Sequence, residues 1–137
     1  MFYSCGQLTI LDLGNFDTLN AIDMSYMFDD CDNLKVLNVS GFNTSSVTTM
    51  KNMFGSCPRL KSLDLSNFNT SKVTTMAGMF GGCKEISKIK LSNFDTSSVV
   101  DMSNMFADCL LLTSLDISNF SGEKVQNTNY MFSECNF

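Results

Sequence analysis

Hydrophobic positions recur along this chain at a strict interval of 26 residues. A Met-Phe pair, a second phenylalanine and a cysteine return in the same order in successive units. All six cysteines keep the interval, at Cys5, Cys31, Cys57, Cys83, Cys109 and Cys135. A period of this length predicts a repeat architecture, in which each unit buries its apolar face against its neighbours.

Each unit begins with a short segment of alternating apolar residues. Residues 34–39 have the form L-x-x-L-x-L, and counterparts begin at Leu8, Leu60, Ile86 and Leu112. Alternation predicts a strand, so parallel strands are expected near residues 8–13, 34–39, 60–65, 86–91 and 112–117. The residue before the next phenylalanine is always Asn or Gly, at Asn15, Gly41, Asn67, Asn93 and Asn119. Because these two residues tolerate positive φ best, a left-handed turn is expected at each of these positions.

A second apolar series follows a Thr/Ser cluster in each unit, and the cluster is interpreted as a helix N-cap. In the unit that begins at Leu34 the series is Val47, Met50, Met53, Phe54 and Cys57. At about 100° per residue these side chains share one face of a helix. One core layer is therefore predicted to contain Leu34, Leu37, Val39, Phe42, Val47, Met50, Met53, Phe54 and Cys57.

These elements predict an α/β repeat fold, a right-handed leucine-rich-repeat-like solenoid built from strand-turn-helix units. Strands need about 4.8 Å and helices about 8–10 Å between neighbours, so the parallel sheet is expected on the concave side. Residues 1–137 are expected to form a single solenoid window of about five repeats, with units starting near 8, 34, 60, 86 and 112. Both ends stop at the same phase without a polar capping unit, so the window is interpreted as excised from a longer chain.

Composition excludes several classes of function. Hydrophobic residues make up 44% and charged residues 17%, which is typical of a folded chain. The net charge of −5 and the scattered cations argue against nucleic-acid binding. No apolar run approaches the roughly 18 residues of a membrane span. The chain has no histidine, which removes most metal sites and the common nucleophile pairs. No enzymatic activity, cofactor or metal ion is therefore expected.

The regular cysteines are expected to form a ladder of free, buried thiols. Placed on neighbouring helices about 8–10 Å apart, they would lie beyond the roughly 7 Å between Cα atoms that a disulfide tolerates. An acidic cluster of Asp29, Asp30 and Asp32 lacks calcium-loop spacing and is interpreted as a solvated helix end.

The outward positions of the strands are the candidate ligand-facing residues, because solenoids usually bind partners on the strand side. They are Asp12, Asn38, Asp64, Lys88, Lys90 and Asp116. Lys90 interrupts the column of Asp12, Asn38, Asp64 and Asp116, and Lys88 adds a second lysine in the same unit. This departure is explained either by selection for a partner or by drift of a solvated face. Tyr26 and Tyr130 share an outward position in the second apolar series.

The unit from Leu60 to Cys83 resembles the BspA-like leucine-rich repeat of bacterial surface proteins, the variant also found in mycoplasma-type lipoproteins. The resemblance covers the whole chain, although Gly122 and Thr128 depart from it in the last unit. It implies a cell-surface or secreted, non-catalytic module that adheres to host or neighbouring cells through a protein or glycan partner. The alternative is a structural spacer or stalk that displays another domain.

Overall fold

The structure, a computed structural model, describes residues 1–136 as a stack of 26-residue units joined by parallel pairing. Its strands are β1 (Ile10–Asp12), β2 (Val36–Asn38), β3 (Ser62–Asp64) and β4 (Lys88–Lys90). β1 pairs with β2 and β3 with β4. Each strand lies within a predicted one, which confirms the parallel strands of four units.

The fifth predicted strand, residues 112–117, is wrong. Within the described part of the chain, no backbone hydrogen bond joins this segment to β4. The two local bonds at its ends, from Leu112 to Cys109 and from Phe120 to Ile117, close turns instead. A segment with an alternating pattern does not form a strand unless its backbone is hydrogen-bonded to a neighbouring strand.

The second apolar series also differs from its prediction. Residues 1–136 contain no α-helix, so the helix prediction is wrong. The amides of Met50, Asn52, Phe54 and Ser56 instead donate to carbonyl groups of the next unit at 2.7–3.1 Å. Intervening amides close tight turns, as when the Met53 amide donates to the Met50 carbonyl at 3.1 Å. We call residues 23–31, 49–57, 75–83, 101–109 and 127–135 the turn segments.

Left-handed backbone conformations explain why the turn segments are not helical. Tyr26, Asn52, Gly78, Asn104 and Tyr130 have φ between 50° and 62°. Four residues after each of these, a second set with φ between 47° and 77° comprises Asp30, Ser56, Gly82, Asp108 and Glu134, and Ser4 precedes it in register. Because a right-handed helix needs negative φ at every residue, the chain leaves helical geometry at each of these positions.

The predicted left-handed turns at Asn15, Gly41, Asn67, Asn93 and Asn119 are wrong, because none of these residues has positive φ. The amide of Asn67 has another role, since it donates to the carbonyls of Val39 and Phe42 in the preceding unit at 3.1 and 2.9 Å. At Gly41 a Cβ atom would overlap the carbonyl of Gly14. At Asn67 and Gly41 the residue type therefore suits contact with the previous unit rather than a left-handed turn.

The threonines interpreted as N-caps also join units, so the N-cap interpretation is wrong. Buried Thr70 donates from Oγ1 to the Asp95 carbonyl at 2.9 Å and accepts from the Asp95 amide at 2.8 Å. Thr18, Thr44 and Thr96 make the same pair of bonds with the next unit. Gly122 has no hydroxyl with which to continue this ladder.

The predicted core layer is confirmed, since all nine of its side chains are buried. Phenylalanine rings of successive turn segments stack with centroids 5.4–5.7 Å apart, as in the column Phe28, Phe54, Phe80 and Phe106. This spacing is close to that of strands and well below the 8–10 Å of packed helices. The difference in spacing that predicted a concave sheet is therefore absent, and the concave side and the handedness stay predictions.

Candidate functional site

The strand-face column consists of the predicted residues Asp12, Asn38, Asp64, Lys90 and Asp116, and all of them are exposed or half-buried. Four members accept a hydrogen bond at Oδ1 from the backbone amide two residues later, at 2.9–3.1 Å. Such bonds stabilise the turn that follows each strand. Four of the predicted ligand-facing side chains thus already have a structural partner.

Two contacts join neighbours within this column. Asn38 donates to Asp12 at 2.8 Å, and the ammonium of Lys90 forms an ion pair with Asp64. Hydrogen bonds from Lys90 and from Ser66 lower the pKa of Asp64 to about 2. Lys88 is exposed and makes no ion pair among the described residues. The structure therefore brings the predicted residues together as pairs rather than as one shared site.

A groove on the turn segments was not predicted. It has a volume of about 450 Å³ and crosses the turn segment 75–83, where the small residues Ala77, Gly78, Gly81 and Gly82 line it. We call it the Gly78 groove; side chains on its two sides include Lys51, Asn52 and Ser56, and Ser103, Asn104 and Asp108. The small residues leave a depression because adjacent units carry larger side chains at most of the same positions, such as Asn52 and Asn104 beside Gly78.

Several polar groups of the Gly78 groove form no described hydrogen bond with the rest of residues 1–136. Among the hydrogen bonds described for residues 1–136, none uses the side-chain amide of Asn104 or the hydroxyl groups of Ser56 and Ser103. Asn104 and Ser56 are exposed, and Ser103 is half-buried. These groups are free to bind a ligand, in contrast to most of the strand-face column.

Tyrosines stand in the same column of turn-segment positions, two units on either side of Gly78. Tyr26 is 39% exposed and Tyr130 is 72% exposed, which confirms that both face outward. The ammonium of Lys51 lies 6.0 Å from the centroid of the Tyr26 ring. Aligning the units would have revealed this column, Tyr-Asn-Gly-Asn-Tyr, but not the depression at its centre.

Asp29 differs from the solvated helix end that was predicted, because its side chain is only 6% exposed. Its Oδ1 atom has no hydrogen-bond partner, although Asn52 contacts the carboxylate. Burial and the charge of Asp30 raise the pKa of Asp29. At the corresponding position the next unit has Gly55, where a Cβ atom would overlap Oδ1 of Asp29.

The structure describes all six cysteines as free thiols, and four of them are buried. Each sulfur from Cys31 onward donates to a phenylalanine carbonyl of the preceding unit at 3.1–3.3 Å. Burial raises the pKa of Cys83 to about 12. The buried ladder is therefore confirmed for Cys31, Cys57, Cys83 and Cys109, while Cys5 and Cys135 are half-buried. The helix spacing used to predict the ladder is not present. The thiols are instead accounted for by their burial and by their hydrogen bonds to carbonyl groups of the preceding unit.

Neither a metal site nor a spanning helix emerges from the described residues. Residues 1–136 hold no group of three or more acidic, cysteine or histidine side chains placed to bind a metal ion. The same residues include no helix with the length and apolar character needed to cross a bilayer.

Stacked parallel units with inward leucine, phenylalanine and cysteine columns define a solenoid of the leucine-rich-repeat type. A similar solved structure is a leucine-rich repeat protein from Eubacterium ventriosum ATCC 27560, with a TM-score of 0.62 and 18% identity. The alignment covers 99% of this chain, which spans about a third (33%) of that protein. The leucine-rich-repeat resemblance is thereby confirmed at the level of the fold.

The family is shown by sequence. The family model described as "Mycoplasma protein of unknown function, DUF285" matches residues 1–90 and again residues 56–137. The chain belongs to this family, which confirms the mycoplasma-type variant of the repeat. No curated protein matches the sequence.

Proposed function

We propose that the chain is a non-catalytic binding module displayed on a cell surface, where it adheres to a protein or glycan of a host or neighbouring cell. The family and the leucine-rich-repeat fold support an interaction module. The observation that carries the proposal is that the buried frame repeats while exposed side chains change from unit to unit. A surface that only separates two other domains needs no such variation.

The strand side is the proposed contact surface for a charged partner, with the sheet on the concave side of a right-handed solenoid. Lys88 and Lys90 form a local basic patch in β4, whereas the equivalent positions of β1 to β3 expose Ile10, Val36 and Ser62 beside Asp12, Asn38 and Asp64. Among the described residues, Lys90 has an acidic partner and Lys88 has none. Charge complementarity contributes to partner selection and to association rate. An anionic partner is therefore the one that this patch fits.

The second candidate, a spacer, is favoured by a different observation. Asp12, Asn38, Asp64 and Asp116 each bond the backbone of their own turn, so most of the column is explained by structural needs alone. On this alternative the variation at Lys88 and Lys90 is drift on a solvated face.

A bead-adhesion assay separates the two candidates. Beads coated with the chain are applied to cultured epithelial cells, and the attached fraction is compared with that of albumin-coated beads. We expect attachment above the albumin level, reduced by Lys90→Glu and unchanged by Lys72→Glu, an exposed lysine of the Thr/Ser cluster. Attachment no greater than with albumin would favour the spacer.

A further inference from the structure

We propose that the Gly78 groove binds a neutral oligosaccharide that lies along the stack and spans several units. This inference rests on the proposed binding function and names a second surface and a ligand class for it. The groove is distinct from the strand-face column, since none of the predicted ligand-facing residues lines it.

The polar groups of the groove suit sugar hydroxyl groups. The amide of Asn104 can both donate and accept a hydrogen bond, as can the hydroxyls of Ser56 and Ser103. All three are uncommitted within the described residues. Sugar hydroxyls also donate and accept, so each of these groups can bond one without leaving a buried group unpaired.

The shape of the groove suits a linear polymer. At Gly78 a Cβ atom would overlap the side-chain amide of Asn52, so the centre of the groove stays open. Units follow one another at the 5.4–5.7 Å of the stacked phenylalanines, a spacing similar to the length of one pyranose residue. Successive sugars of one chain can therefore meet equivalent positions of successive units.

The tyrosines supply the apolar part of sugar recognition. Tyr26 and Tyr130 occupy the outward column on either side of the groove. Tyr130 is 72% exposed, and Tyr26 is 39% exposed with the ammonium of Lys51 over its ring. An aromatic ring packs well against the apolar C–H face of a pyranose while its hydroxyl group bonds to polar atoms. A ligand that covers both tyrosines has to span the five units from Tyr26 to Tyr130.

Charge selects a neutral sugar over an anionic one. Asp101 and Asp108 line the groove with Lys51 as the lone cation among its described lining residues, so the local formal charge is negative. Sulfated or uronic-acid polymers would be repelled. A peptide is also a poor fit, because the groove lacks an apolar pocket for an anchoring side chain and the turn-segment amides already pair between units.

Tyrosine fluorescence offers a direct test, because the chain has no tryptophan and two of its three tyrosines flank the groove. The purified chain is titrated with neutral hexasaccharides (cellohexaose, chitohexaose and mannohexaose) and with an anionic hyaluronan hexasaccharide. We expect saturable binding of at least one neutral sugar and no binding of the anionic one.

Two variants locate the binding. Asn104→Gly removes the amide at a φ of 55°, which glycine adopts freely, and should weaken binding about fivefold to tenfold, the value of one lost hydrogen bond. Tyr130→Gly, at a φ of 58°, should weaken binding at least as much. Binding by this variant is measured by calorimetry, because the substitution removes one of the fluorescent tyrosines. The matched control is Ser4→Gly, an exposed residue with a φ of 54° outside the groove, which should bind like the unaltered chain.

Three results would overturn the groove proposal: no neutral sugar binding at about 1 mM, preferential binding of hyaluronan, or equal affinity of Asn104→Gly and Ser4→Gly. Any of these would leave bead adhesion through Lys90 unaffected. Failure of the groove and failure of the proposed function are therefore distinguishable.

Discussion

The threonine ladder provides the sharpest test of how the units are held together. Replacing Thr70 with valine keeps the volume of the side chain but removes its hydroxyl group. Two hydrogen bonds to Asp95 are lost, one of 2.9 Å to its carbonyl and one of 2.8 Å from its amide. Thr70 is 1% exposed, so water cannot easily take the place of the hydroxyl.

The expected cost follows from these two bonds. A buried donor or acceptor left without a partner costs about 1–3 kcal/mol, and here one of each is left between two units. Partial exposure of Asp95 reduces the penalty, so we expect Thr70→Val to lower the free energy of unfolding by about 2–4 kcal/mol. Valine creates no cavity, so the loss measures hydrogen bonding rather than packing.

Equilibrium urea denaturation followed by circular dichroism measures this change. The matched control is Thr74→Val in the same unit, because Thr74 is exposed and its hydroxyl makes one bond, to the Thr48 carbonyl at 3.1 Å. We expect the control to cost less than about 1 kcal/mol. If the two variants were equally stable, the buried threonines would not be what joins the units, and the reasoning would be refuted.

Three further predictions concern the core, the thiols and a buried charge. Phe68→Ala should cost about 3–5 kcal/mol, because Phe68 is 2% exposed; an unchanged denaturation midpoint would contradict its burial. With iodoacetamide, the half-buried thiols of Cys5 and Cys135 should react first. Cys83 should react only on unfolding, because burial raises its pKa to about 12. Mass spectrometry that showed uniform labelling or disulfides would refute the ladder. Asp29→Asn should stabilise the fold at pH 7, because it removes a buried negative charge that lies beside the charge of Asp30. Because the pKa of Asp29 is raised on folding, the gain should disappear as the pH falls to the unfolded value of 3.8, and a gain independent of pH would contradict the assignment.

Hydrophobic spacing was sufficient to predict which side chains are buried. Val47, Met50, Met53, Phe54 and Cys57 were assigned to one inward face, and each is 0% exposed. The same spacing did not identify the backbone. A helix and a series of tight turns can both direct these residues inward, and periodicity reports only the direction of the side chains.

The destination of the backbone amides decides between the two structures. In a helix the Phe54 amide would bond within its own unit, whereas here it donates to Met79 of the next unit at 3.0 Å. This bond exists only when the neighbouring unit is stacked at a spacing too short for a helix. The predicted left-handed turn at Asn67 was wrong for the same reason, because the side-chain amide of Asn67 donates to carbonyl groups of the preceding unit.

The two candidate sites also differ in how far the sequence predicts them. Outward strand positions such as Asp64 and Lys90 follow from alternation, but their pairing across units does not. The Gly78 groove needs small residues in one unit and uncommitted polar groups in the units beside it, so only the stacked arrangement reveals it.

By itself, the sequence determined the 26-residue period, the parallel strands of four units and the identity of the core, because these depend on residue type and spacing within one unit. The tertiary structure alone decided the turn segments, the hydrogen bonds that buried threonines and Asn67 make between units, and the groove. Each of these depends on hydrogen bonds or open space between units, and a single unit has no way to specify what its neighbour places 26 residues away.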